Sequence, residues 1–177
     1  MRMSANKRPL ANDRYAVASC NTGDAMIMTT QPTNGTIELR ERIFQVKRAE
    51  VSLQRGSWGI EIETDGQEFD RENWAPYLYH QGLRIDATNA AELQGRTVRW
   101  YASRDPDYEH PEIGSMYVFG HHDVRQCVIT FGEIFAGRIE LSWTGLCDVF
   151  WDVSFKENVP FRCKCRAVIK FRETVVD

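Results

Sequence analysis

The last segment of the chain constrains its fold more than any other. Phe161, Cys163, Cys165, Ala167, Ile169 and Phe171 fall on one parity, and Arg162, Lys164, Arg166, Lys170 and Arg172 on the other, with Val168 the one exception. A strand turns successive side chains to opposite faces, whereas a helix repeats every ~3.6 residues, so a run of period two is a half-buried strand. Sheets with one wet face are antiparallel ones, because parallel strands are covered on both sides. The same period recurs at Trp58, Ile60 and Ile62 against Gly59, Glu61 and Glu63, and at Ile139, Leu141 and Trp143 against Glu140, Ser142 and Thr144. Trp58 and Trp143 therefore take inward positions.

Further strands are expected at Ile37–Phe44, Glu50–Leu53, Gly82–Asp86, Thr97–Ala102, Ser115–Phe119 and Val124–Phe131. Glycine-containing breaks separate many of them, as at Gly56, Gly95, Gly132, Gly137 and Gly145. Many short strands at such spacing give a mostly-β fold, here an antiparallel β-sandwich. One short helix is expected at Asn89–Gln94. Asn89 and Glu92 form a capping-box-like start, and Gly95 supplies the stop. A helical turn near Asp70–Trp74 is a weaker expectation, limited by Pro76.

The chain has 177 residues, of which 42% are hydrophobic and 27% charged, so it is long and apolar enough for one well-cored domain. Residues 1–35 lack a clear period and read as an N-terminal arm or tail, with one short strand at Tyr15–Ser19. Residues 36–177 read as the single β-domain. The net charge of -3 hides a division. The arm carries 4 basic and 2 acidic side chains, residues 36–135 carry 11 and 17, and residues 136–177 carry 7 and 6. A slightly acidic total disfavours a chain that binds nucleic acid through its phosphates.

No apolar run approaches the ~18 residues of a membrane helix. Ser4, Asn6, Lys7, Arg8, Asn12 and Asp13 interrupt any apolar core of a secretory signal, so a cytoplasmic location is expected. The five cysteines, Cys20, Cys127, Cys147, Cys163 and Cys165, match no disulfide framework. In Cys163-Lys164-Cys165 the two Cα atoms of a strand lie ~6.5–7 Å apart, beyond most disulfides, and buried free thiols are the expectation.

The histidines are His80, His110, His121 and His122. His121-His122-Asp123 follows Gly120 and reads as a turn. His110 sits in the loop Ser103–Gly114 with Asp105, Asp107, Tyr108, Glu109 and Glu112. Imidazoles and carboxylates from two loops form a donor set for a divalent ion, which gives one functional reading: a small metal-assisted hydrolase or ligand-binding sandwich using His110, His121, His122 and Asp123. Against it, adjacent residues of an extended chain point to opposite faces, and the spacing matches no specific zinc pattern. Asp148 and Asp152, at i and i+4 on a strand, stand ~13 Å apart, too far for a glycosidase pair. No nucleophile elbow, phosphate loop, Rossmann fingerprint or H-E-x-x-H is present, so no enzyme activity and no cofactor is expected.

The basic stripe Arg162, Lys164, Arg166, Lys170 and Arg172 admits three readings: a guard against edge-to-edge pairing, partners for acidic residues on a neighbouring strand, or a docking face for an acidic protein. Without aromatics interleaved on that face it is a poor nucleic-acid footprint.

Several stretches carry a family likeness. Tyr79-His80-Gln81-Gly82-Leu83-Arg84-Ile85-Asp86, Ala91-Glu92-Leu93-Gln94-Gly95, Leu141-Ser142-Trp143-Thr144-Gly145, Asp148-Val149-Phe150-Trp151-Asp152 and Val159-Pro160-Phe161 resemble small bacterial β-sandwich proteins. Some of those are encoded beside secreted toxins as immunity proteins. The resemblance spans residues 55–172 and rests on framework positions, with no catalytic motif to carry over. It implies a non-enzymatic module that binds a cognate protein. The candidate contacts are Asp105, Asp107, Tyr108, Glu109, Glu112, Arg162, Lys164 and Arg166. The acidic loop would meet a basic toxin surface.

Overall fold

The computed structural model describes residues 34–69, 71–83, 85–101, 114–151 and 154–171. The strand expected at Tyr15–Ser19, the loop that holds Asp105, Asp107, Tyr108, Glu109, His110 and Glu112, and also Cys20 and Asp152, lie outside the described residues.

The described chain is almost all strand, antiparallel, with one short helix. The elements are β1 (Gly35–Leu39), β2 (Arg42–Gln54), β3 (Ser57–Thr64), β4 (Gln67–Phe69), β5 (Glu72–Trp74), β6 (Tyr77–Leu83), α1 (Ala90–Leu93), β7 (Thr97–Trp100), β8 (Gly114–Tyr117), β9 (His121–Phe135), β10 (Arg138–Trp151) and β11 (Ser154–Phe171). The main sheet runs β10-β11-β1-β2-β3-β6-β8-β9-β7, and β9 also pairs with β10. The ladder thus returns to its start: in place of two separate sheets of a sandwich, the main sheet is one that closes on itself. Closure satisfies strand edges that an open sheet would leave bare. One pairing departs from the antiparallel rule: Val168–Phe171 of β11 runs parallel to Glu50–Leu53 of β2, beyond the point where β1 ends.

The parity of the sequence sets the faces. Cys163 and Ala167 are fully buried and Cys165 nearly so, while Arg162, Lys164 and Arg166 between them are exposed. Trp58 and Trp143 lie wholly inside, among Ile37, Phe44, Ile60, Leu78, Phe131 and Leu141. Burying such side chains contributes roughly 1.5–3 kcal/mol each relative to leaving them in water, which is what the alternating strands supply. The helix begins as expected. Asn89 accepts the Glu92 N–H through its side chain, and the Glu92 carboxylate accepts from the Thr88 N–H at 2.6 Å. Those bonds satisfy donors that a helix start leaves bare, and they hold the Glu92 carboxyl below its ordinary range.

Several sequence-based boundaries need correction. The breaks expected at Gly132 and Gly145 lie inside β9 and β10, and the strand expected at Gly82–Asp86 is β6, which runs Tyr77–Leu83. The strand expected at Ile37–Phe44 is broken at Arg40 and Glu41, which take positive φ of 46° and 63° and turn β1 into β2. The helical turn expected near Asp70–Trp74 is the hairpin β4–β5, with Arg71 at φ 71°. His121 and His122 are the first residues of β9 and not a turn; the bend occupies Val118–Gly120. No helix among the described residues is long and apolar enough to cross a membrane.

Candidate functional site

The basic stripe does not guard an edge. β11 has β10 on one side and β1 and β2 on the other. Its cations stand instead on the outer face of the sheet's middle, in three cross-strand rows. Arg162 lies opposite Thr144 of β10 and Glu38 of β1; Lys164 lies opposite Ser142 and Thr36; Arg166 lies opposite Glu140. Directly opposed side chains on a strand pair stand ~4.5–5.5 Å apart, close enough to interact. Arg166 uses that proximity: its guanidinium donates to the Glu140 carboxylate at 2.8 Å. Both partners are largely exposed, so the pair contributes little stability. Among the described residues no carboxylate pairs with Arg162 or Lys164. Part of the stripe is therefore absorbed by neighbouring strands, as one reading held: Arg166 by Glu140, and Lys170 by Glu50 of β2 at 2.6 Å. Arg162 and Lys164 remain to face solvent, and Arg172 lies outside the described residues.

Two concavities flank the stripe. One, of about 1050 Å³, is lined by the Arg40–Glu41 turn on one side and by Lys156, Asn158 and Arg162 on another, with Phe161 and Gly145 among its lining residues. The other, of about 450 Å³, includes Lys164, Cys165, Arg166, Ser142, Thr130 and Gly132. Arg162 belongs to the first and Lys164 and Arg166 to the second, so the stripe joins them.

The larger concavity is shaped by two bulges. Between Thr144 and Leu146 the register with β9 slips, and Gln126 takes φ 49°; between Cys147 and Val149 the register with β11 slips, and Asn158 takes φ 58°. Bulges bend a strand and re-aim its side chains. A three-strand clamp locks this region. Arg125 of β9 donates through Nη1 to Asp148 Oδ2 at 2.9 Å, and through Nη2 to the Asn158 side-chain oxygen at 3.0 Å, while the Asn158 N–H donates to Asp148 at 2.8 Å. The Arg125 hydrogen bond holds the Asp148 carboxyl below its ordinary range. Asp148, which strand spacing keeps from pairing with Asp152, is a half-buried member of this clamp.

The histidines do not converge. His121 is exposed, with Nδ1 3.0 Å from the Tyr79 hydroxyl and its ring tilted against Tyr117 at 4.9 Å. His122 is half-buried, its ring 6.0 Å from Phe155. His110 lies outside the described residues. Among the described residues no three His, Cys, Asp or Glu side chains gather as a metal site would require. His80, to which the sequence assigned no role, is the histidine the fold singles out. It is fully buried, 5.2 Å from Trp100 and 6.3 Å from Trp143, and neither ring nitrogen has a hydrogen-bond partner. Burial pulls its pKa down to about 4.

The four described cysteines are free and buried. Burial pushes the Cys127 and Cys147 thiols up to about 12, and Cys163 is raised by its hydrogen bond with Cys165 and by burial. A thiol held protonated is a poor nucleophile and a poor metal ligand. These are core residues in the sense the sequence suggested. Outward-facing Tyr77 and Tyr79 stack at 5.1 Å beside Glu61 and Glu63.

No protein-family model, curated protein or solved structure matches this chain.

Proposed function

We propose that the protein is a non-enzymatic binding module that docks a cognate protein on the outer face of β10, β11 and β1. Its role in this reading is that of a cytoplasmic immunity protein, which neutralises a toxin by direct binding. The observation that carries the reading is the pair Arg162 and Lys164: exposed, without carboxylate partners among the described residues, and set between two concavities. A displayed charge stripe speeds encounter with an oppositely charged surface and fixes its register, and concavities beside it give anchors somewhere to seat. The likeness to immunity proteins over residues 55–172 supports the toxin as partner. Two charge-segregated regions in a nearly neutral chain support a protein partner over nucleic acid.

The test is co-expression with the product of the neighbouring gene. A complex should copurify, growth should be restored, and the double variant Arg162→Glu, Lys164→Glu should weaken both. Neither copurification nor rescue by the wild-type protein would end the proposal.

A further inference from the structure

We infer that the stripe on β11 recognises an extended acidic segment of the partner, laid along the strand with every second side chain a carboxylate. This rests on the protein-binding reading and names the chemistry of its partner.

The argument is one of period. On a strand, same-face residues repeat every ~6.8 Å. Arg162, Lys164 and Arg166 occupy three successive outward positions, and the pairing with β10 is regular from Arg138 through Cys147, so this spacing is undistorted there. An extended peptide has the same repeat. Glutamate or aspartate at alternate positions therefore meets each cation in turn, whereas contiguous carboxylates would turn half their charge away. The flanking rows supply further donors. Thr36 and Ser142 stand on either side of Lys164, and Thr144 stands beside Arg162. Beyond Ser142 the row continues to Thr130 and Thr97, whose hydroxyl oxygens are 3.3 Å apart. Hydroxyls and cations together are what carboxylate oxygens accept from. Charge decides the sign of the partner: Lys164 has hydroxyls on both sides, Arg162 stands between Thr144 and Glu38 with no ion pair to Glu38 among the described residues, and Arg166 keeps Glu140 as an internal stand-in for the ligand. The Arg166–Glu140 contact is a cross-strand guanidinium–carboxylate pair of the kind proposed for Arg162.

The same face is short of what single-stranded nucleic acid needs, because no aromatic side chain interrupts Arg162, Lys164 and Arg166 for bases to stack on. The larger concavity, which Arg162 helps to line, is the place for the segment's terminal side chain.

Fluorescence anisotropy tests this with the whole chain and a labelled peptide of alternating Glu and Ser, beside an isomer whose Glu residues form one block. At physiological salt (~0.15 M), where surface charges are partly screened, the alternating peptide should bind the tighter of the two. Arg162→Gln and Lys164→Gln should each weaken it by about two- to fivefold, the worth of one exposed ion pair. Both residues are exposed, and circular dichroism checks that the variants keep the fold. Equal binding of the isomers, indifference to Lys164→Gln, or tighter binding of an oligothymidylate overturns the inference. If neither peptide binds while the cognate protein still copurifies, this inference fails and the binding function stands. If the alternating peptide binds but no cognate complex forms, the function fails and the surface chemistry stands.

Discussion

His80 makes the fold's stability depend on pH in a calculable way. In the unfolded chain its imidazole titrates near its ordinary 6.5; in the fold it titrates at about 4, because a charge among Trp100, Trp143 and their neighbours loses its hydration and finds no partner. The folded pKa is the lower one. Between these values the unfolded chain binds more protons than the fold, so stability rises with pH through this window and is lost as pH falls. A gap of about 2.5 units corresponds to about 3 kcal/mol, most of it gone by pH 4. That is a large fraction of the ~5–15 kcal/mol of a typical domain. Urea denaturation of the wild type and of His80→Phe between pH 7 and pH 4 reads it directly. Asp148, Glu63 and Glu92, whose carboxyls are lowered, also lose stability in acid, but they do so equally in both proteins and cancel in the difference. The wild type should lose about 3 kcal/mol more than the variant. At pH 7 the variant should be at least as stable, since two unpartnered buried nitrogens are removed. His80→Leu guards against overpacking by the phenyl ring. If the wild type and both variants lose stability in parallel, His80 is not a buried neutral imidazole and the reasoning fails.

Glu41→Gly should raise the thermal midpoint by about 2–4 °C, because glycine takes the φ of 63° at that turn without the ~1 kcal/mol strain a side chain carries; a lower midpoint would show that the Glu41 side chain contributes more than its backbone costs. Gly114→Ala should destabilise by about 1–3 kcal/mol in urea, since its Cβ would stand 2.8 Å from Val124 Cγ2 and 2.9 Å from the Trp143 ring; a neutral effect would mean that the core around these rings has slack. In a Cys20→Ser background, native thiols should react with a disulfide reagent only on unfolding, because burial holds Cys127, Cys147 and Cys163 protonated; rapid labelling at pH 8 would contradict it. Asp148→Asn should cost about 1–3 kcal/mol above pH 4 by opening the clamp to Arg125 and Asn158. Since the Asp148 carboxyl titrates below its ordinary value in the fold, that difference should fade as pH drops through the folded value.

Much of the fold was legible because one physical rule wrote it. Strands with one wet face must alternate, and β3, β10 and β11 do so over most of their length. The misses have equally specific causes. The β1–β2 turn is built from Arg40 and Glu41 in left-handed conformation, where glycine or asparagine is the usual sign; two further two-residue turns, Arg55-Gly56 and Ala136-Gly137, carry that glycine, and the sequence marked breaks there. The hairpin β4–β5 turns through Arg71, again without glycine. β6 was placed too late, at Gly82–Asp86, because Tyr77 and Tyr79 point outward and so invert the usual hydrophobic parity; the buried residues are Leu78 and His80.

The site shows what alternation cannot say. Period two told that Arg162, Lys164 and Arg166 share a face, but not what opposes them, and opposition decides their chemistry. Register placed Glu140 against Arg166 and cancelled it, and placed Thr36 and Ser142 against Lys164 and left its charge displayed. A slip of one residue between β10 and β11 would have turned their whole apolar sets to the wrong face; that pair stays in register from Arg138 through Cys147, and the irregularities fall beyond Cys147 and on the β9 side of β10. The core thus fixes the register, and the register selects which cations stay free. A change in the core that shifted β11 against β10 would therefore alter which cations the outer face displays without touching an exposed residue.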